Sequence, residues 1–405
     1  MADVPPCRNA PASDRTGSPF GSLGAAFFGV TVLVFASCGV ASGGDSTSGG
    51  NPSAESSAAA LAGSDLDGGS PDAPDGGESD AGADAAPVGK PAGDFVLVDE
   101  DVYADTVDGQ RKALFRRMSA SLQLSAEAMA PLEAIFAGSK VMGQGNPKMT
   151  QYPMTRKQCR EKRAAAGVVE IEYSMCGSPF MVPIYDASTG QTAKDAHTCI
   201  DEYEFPGIPC EHPVVWVTSR EAQQLCSAMG KRLCDAHEWE GACAGALKPA
   251  DVEYAFGKSR RDMRRLHNQD REIVWSYGVA KDHKKCGTTS KKNKGCTSSG
   301  YKSCGSNTFP AGSFPECKSS FGAYDLHGNA AEHMNYPMKA AQLGSAGGTG
   351  ETEMKGSWFI FSTYEAHPDD CRWRAPDWHV TKLMDRNSHG NYHLGFRCCK
   401  DIARK

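Results

Sequence analysis

Fourteen cysteines crowd one part of this chain: 159, 176, 199, 210, 226, 234, 243, 286, 296, 304, 317, 371, 398 and 399. A thiolate binds soft metals and attacks electrophiles, whereas a cystine does neither, so their pairing decides what chemistry is open to them. No Cys-x-x-Cys pair occurs, which argues against a zinc ribbon or a thioredoxin-type motif. An even, dense set fits disulfides formed in an oxidising compartment, and spacing alone leaves their connectivity open. His367 and Cys371, four residues apart, offer a Cys/His pair that could hold copper or another soft metal. The plainer reading is a loop histidine beside a disulfide cysteine. His389 and His393 have the same spacing, but Gly390 and Asn391 between them favour a turn, so they read as solvated.

The chain around these residues is uneven. Leu23 to Ala36 is an apolar run shorter than the roughly 20 residues of a membrane-spanning helix, and it suits the core of a secretory signal. Small residues lead into Cys38, as in the bacterial lipoprotein cleavage box, with Phe35 where Leu is usual. Lipidation of Cys38 is the preferred expectation; cleavage near Ala36 and an uncleaved anchor are the alternatives. Residues 39–93 are Gly, Ser, Ala, Asp and Pro without an aromatic, and carry a net charge of −8. Such a tract buries too little apolar surface to offset chain entropy and reads as a disordered spacer. The whole chain is −6 and residues 1–38 are neutral, which leaves about +2 for residues 94–405. That balance gives no drive toward nucleic acid. The lysine-rich stretch from Lys281 to Lys302 contains cysteines and little apolar content, and reads as a solvated, disulfide-tied loop.

The elements that must position the cysteines are short. Ser125 caps a helix bearing Met129, Leu132, Ile135 and Phe136 and closed by Gly138, with Pro131 inside it. This belongs to a helical preface covering residues 94–153. Cys199 to Phe205 alternates like a half-buried strand, and Val214 to Val217 reads as a short buried one. Thr218 with Glu221, and Asp235 with Glu238, form two capping boxes. The helices behind them put Ala222, Leu225, Cys226 and Met229, and then Trp239, Ala242 and Cys243, on single faces. Gly230 suits the end of the first helix, because it takes positive φ without a Cβ clash.

Three separated segments carry a resemblance. Cys199 to Gly245 resembles a stretch of the formylglycine-generating enzymes, the sulfatase-modifying factors, with their Tyr-Glu-Val strand, their Val-x-Trp segment and, from Gly230, their Gly-Lys-Arg-Leu-Pro-Thr-Glu-x-Glu-Trp-Glu run. Phe321 to His333 resembles their Phe-Gly-Leu-Tyr-Asp-Met-x-Gly-Asn-Val-x-Glu-Trp segment. Lys355 to Trp358, with Gly395 to Cys398, resembles their Gly-Gly-Ser-Tyr and terminal Gly-Phe-Arg elements. The resemblance implies an α+β domain of the sulfatase-modifying-factor, C-type-lectin-like kind over residues 154–405, loop-rich and disulfide-dense.

The family's oxidases hold copper with two cysteines five positions apart, shortly after the Gly-Gly-Ser-Tyr element. Counted from Ser357, those positions are Ile360 and Glu365; counted back from Cys371, the first is Ala366. Neither alignment yields the pair, so copper and the oxidase activity are not expected. The resemblance also implies calcium at Asp325, Glu332 and the backbone oxygens of Gly328 and Ala330, a hard-oxygen set. A second site would fall near Asn268 and Asp282. The competing reading has Asp325 capping a turn and Glu332 paired with an arginine. The expectation is therefore a lipid-anchored envelope protein facing an oxidising compartment. Its domain would act as a non-catalytic binding or structural module for an envelope or extracellular protein, a peptide or a glycan. The alternative is a metal-dependent oxidoreductase with non-standard ligands. Replacing Cys38 by Ser should move the protein from the membrane fraction to the soluble one; unchanged retention would rule out lipid anchoring there.

Overall fold

A computed structural model describes residues 89–91, 102–296, 300–344, 350–377 and 380–403. The signal segment, Cys38 and nearly all of the spacer lie outside them. The exception is strand β1, Gly89–Pro91, inside the stretch expected to be a spacer; it pairs antiparallel with β2, Val169–Ile171.

Helices α1 (Val107–Ser121), α2 (Ala126–Gly138) and α3 (Arg156–Ala165) come first, each with a side-chain N-cap, from Thr106, Ser125 and Thr155. Each cap satisfies an amide that the first helical turn leaves open. The helices of the preface pack on the rest of the domain. Leu114, Met118, Leu132 and Phe136 share one core with Val214, Leu225 and Phe396.

Helix α4 (Ser219–Ala228) starts on the Thr218/Glu221 capping box, and Gly230 follows its C-terminus at φ +67°. Strand β5 (Arg232–Leu233) leads to α5 (Ala236–Ala244), which starts on the Asp235/Glu238 box. Short α6 (Ala250–Glu253) and α7 (Arg260–Asp270) complete the helices.

Strands β3 (Met181–Ile184), β4 (Thr198–Asp201), β5 and β9 (Cys398–Asp401) form an antiparallel sheet in the order β3-β4-β9-β5. Strands β6 (Ala331–Tyr336), β7 (Glu351–Lys355) and β8 (Leu394–Phe396) form a second sheet in the order β7-β6-β8, with β6 and β8 parallel.

Two strand expectations change. The first strand stops at Asp201, and all four of its residues are buried, so neither face is solvated. Val214 to Val217 is no strand. Val215 makes an isolated two-way bridge to Gly143, and Trp216 turns the chain at φ +60°. His389 and His393 are half-buried rather than solvated, and the His393 ring stacks on Trp358 with centroids 4.7 Å apart.

All fourteen cysteines from Cys159 to Cys399 are joined in seven disulfides: 159–210, 176–199, 226–398, 234–399, 243–371, 286–317 and 296–304. Such density belongs to an oxidising compartment. No helix among the described residues is long and apolar enough to cross a membrane.

Buried charge is the other unusual feature. Arg397, between β8 and β9, is fully buried and bonds both oxygens of Glu332 at 2.6 to 3.0 Å. It also donates to the carbonyls of Asp201, Glu202 and Tyr324. Removing one member of such a pair strands the other charge in a low-dielectric interior. Arg397→Met should therefore cost about 3–5 kcal/mol in denaturant unfolding with the disulfides intact. A loss below about 1 kcal/mol, the range of a surface pair, would mean that the pair is not what holds this junction.

Candidate functional site

The turn from Asp325 to Glu332 is tightly wound. Asp325, Gly328 and Asn329 all have positive φ, at +54°, +82° and +56°. A Cβ on Gly328 would meet the Gly287 carbonyl carbon at 2.9 Å, so the close approach of these two loops needs glycine there. The turn's polar groups are taken up by protein. Asp325 Oδ2 accepts from the Gly312 amide at 2.5 Å, and the Ala330 amide donates to Glu204 Oε1 at 2.7 Å. Burial pushes the Asp325 carboxyl up to about 6 and the Glu204 carboxyl well above its usual range. Each oxygen of Glu332 already accepts two hydrogen bonds, from Arg397 and, at 3.0 Å, from the Trp239 indole. Glu332 thus has its cation in Arg397, and both carboxylates implied for calcium accept hydrogen bonds from protein donors.

The second set fares similarly. Asn268 spends both ends of its amide on the Arg374 backbone. Asp282 accepts from the Lys284 amide and donates its own amide to the Tyr277 hydroxyl. Among the described residues, no hydrogen bond joins the two. The His367–Cys371 pair also fails as a soft-metal site, because Cys371 is bonded to Cys243 and offers no thiolate. The His367 ring lies flat against Trp373, 4.6 Å away at 3°, with Nδ1 at 2.7 Å from the Pro368 carbonyl. The aligned copper positions are equally altered. Ile360 is buried among Trp358, Phe359 and Phe361. Glu365 reaches outward to Lys281 and His283.

A different set converges beside Glu365. His283, His327 and Asp369 come from three loops, and one ligand atom of each lies within 4.8 Å of the others. His327 and Asp369 are buried, and His283 is half-buried. The loops are held by cross-links: Cys286 next to His283 joins Cys317, and Cys371 next to Asp369 joins Cys243 on α5. Ser357 Oγ accepts from the Gly328 amide at 2.9 Å and faces His327 Nδ1 at 3.4 Å. Asp369 Oδ1 takes the Trp275 indole N–H at 3.2 Å and lies 3.1 Å from Lys281 Nζ. Burial, the largest influence, pushes His327 down to about 4, with the Asp369 carboxylate opposing it, so the ring is neutral at pH 7. His327 sits inside the Phe321–His333 segment, but nothing in its spacing points to His283 or Asp369. Only folding brings them together.

The family model for the sulfatase-modifying factor enzyme 1-like domain matches residues 145–402. Among solved structures, the chain is similar to CarF, with 15% identity over 47% of this chain and 69% of that one, at a TM-score of 0.28. It is likewise similar to PvdO from Pseudomonas aeruginosa, with 17% identity over 55% of this chain and 91% of that one, again at 0.28. The family match covers more than half of the chain, and its segments form the two sheets and the turn just described. The protein belongs to the sulfatase-modifying factor family.

Proposed function

We propose that this protein is an exported envelope module, anchored through Cys38, whose sulfatase-modifying-factor domain binds a partner protein, peptide or glycan without the family's copper oxidase chemistry. The observation that carries this reading is the complete pairing of the cysteines from Cys159 to Cys399. Copper(I) in the family's manner needs two thiolates, and a disulfide sulfur is neither charged nor a comparable donor. Ile360 and Glu365 at the aligned positions support the same conclusion. Cross-links that tie α4 and the residue after β5 to strand β9, and α5 to a distant loop, suit a domain that must endure outside the cell. Calcium at the Asp325–Glu332 turn is disfavoured by the Arg397 guanidinium, which already supplies the positive charge there.

The purified mature protein, denatured without reductant, should show no titratable thiol. With copper, oxygen and a cysteine-containing peptide it should neither consume oxygen nor convert the peptide cysteine. Copper-dependent conversion of that cysteine would overturn the proposal. Millimolar calcium added to metal-free protein should leave the thermal midpoint unchanged; a saturable rise that Asp325→Ala removes would restore the calcium site.

A further inference from the structure

We propose that His283, His327 and Asp369 form a binding site for a divalent first-row transition cation of the zinc class, distinct from both the copper pair and the calcium turn. The first observation is the convergence of two imidazoles and one carboxylate within 4.8 Å. A second, independent one is that three atoms in the cluster are buried without a hydrogen-bond partner: His327 Nε2, Asp369 Oδ2 and His283 Nδ1. His327 Nε2 and Asp369 Oδ2 lie 3.0 Å apart, yet they are out of line for a hydrogen bond. Buried polar atoms without a partner are rare and costly. With the ring proton on Nδ1, toward Ser357 Oγ, these two atoms present facing lone pairs at a separation that a shared cation produces. Ligand bonds of about 2.1 Å put neighbouring donors roughly 3.0 to 3.4 Å apart, and opposite donors about 4.2 Å apart. The 4.8 Å limit of the set is slightly wider, and a small movement of the half-exposed His283 ring closes the difference.

The surroundings orient each ligand as metal sites require. A metal-bound histidine normally engages its second ring nitrogen with a carboxylate, hydroxyl or carbonyl. His283 Nε2 meets Glu365 Oε1 at 2.5 Å, which leaves Nδ1 for the ion. His327 Nδ1 faces Ser357 Oγ, which leaves Nε2. Asp369 directs Oδ1 to Lys281 and Trp275, which leaves Oδ2. Lys281 also bonds Glu365 Oε2 at 2.7 Å, so its charge is shared between two carboxylates. Two imidazoles disfavour calcium and magnesium, and the mixed nitrogen–oxygen set suits zinc, iron, cobalt or nickel. Three protein ligands leave a coordination position for an exogenous group. The site reaches solvent on the side of His283 and Glu365, whose side chains are 21% and 48% exposed.

The test titrates metal-free, full-length mature protein with Co²⁺ and follows the visible ligand-field band, with Zn²⁺ as competitor. One Co²⁺ per chain, displaced stoichiometrically by Zn²⁺, is expected. His283→Gln, at the half-exposed ligand, should abolish the band while leaving the far-ultraviolet spectrum and the disulfide count unchanged. Glu365→Gln, on the exposed rim, should weaken binding about 10-fold through loss of ligand orientation. Wild type that takes up neither Co²⁺ nor Zn²⁺ stoichiometrically would overturn the proposal. So would a band that survives both His283→Gln and Asp369→Asn. The readout is independent of oxidase activity, so it can fail without touching the functional proposal above.

Discussion

The buried guanidinium of Arg397 joins the two sheets of this domain. It sits in the single residue between β8 and β9, so it belongs to both sheets at once. From there it neutralises Glu332 on β6 and caps carbonyls at the end of β4 and in the Phe321–His333 segment. Cys398 and Cys399 follow directly and tie the same strand to α4 and to the residue after β5. The last strand is therefore held by charge, by main-chain pairing and by two covalent links. Breaking the ion pair alone would leave a buried carboxylate facing only the Trp239 indole, which is why the geometry demands all its parts together.

This arrangement explains how a loop-rich domain can hold side chains in place. The described strands are at most six residues long, and the loops between them carry most of the functional groups. Ordinary loops are mobile because little surface packs against them. Here the loop bearing His283 is bonded to the loop before Asp325, and the loop bearing Asp369 is bonded to α5. Further buried arginines repeat the Arg397 device. Arg374 and Lys355 share Glu240, and Arg117 and Arg156 share Glu211. Such pairs add little net stability compared with apolar packing, but each tolerates few alternative arrangements. They substitute specificity for the regular secondary structure that the chain lacks.

Local physics made part of this legible from sequence. Capping boxes are four-residue patterns whose partners are fixed by helix geometry, so Thr218 with Glu221 and Asp235 with Glu238 could be read directly. The even cysteine count implied cross-links, and the spaced family segments implied the fold. What depended on tertiary partners was not legible. Val214 to Val217 has strand-forming residues, yet Trp216 adopts a left-handed turn because its amide is drawn to the Asn391 carbonyl. Glu332 and Asp325 have the residue types of a calcium loop; only the fold reveals that Arg397 and the Gly312 amide reach them first. His283, His327 and Asp369 share no spacing rule, since three loops bring them together.

Glu365 connects the family resemblance to what this chain has instead. Counted from Ser357 it is one of the two aligned copper positions, and in the fold it holds His283 and Lys281 at the edge of the His–Asp cluster. Filling this region with apolar side chains would have been the simplest route, and Ile360 with its aromatic neighbours follows that route on one side. On the other side the chain keeps two imidazoles and two carboxylates, a costly choice for packing alone. Trp239, Glu332 and Arg397 make buried contacts with one another, apart from the loops that carry the His–Asp cluster, so in this chain the residues that identify the framework say little about the site.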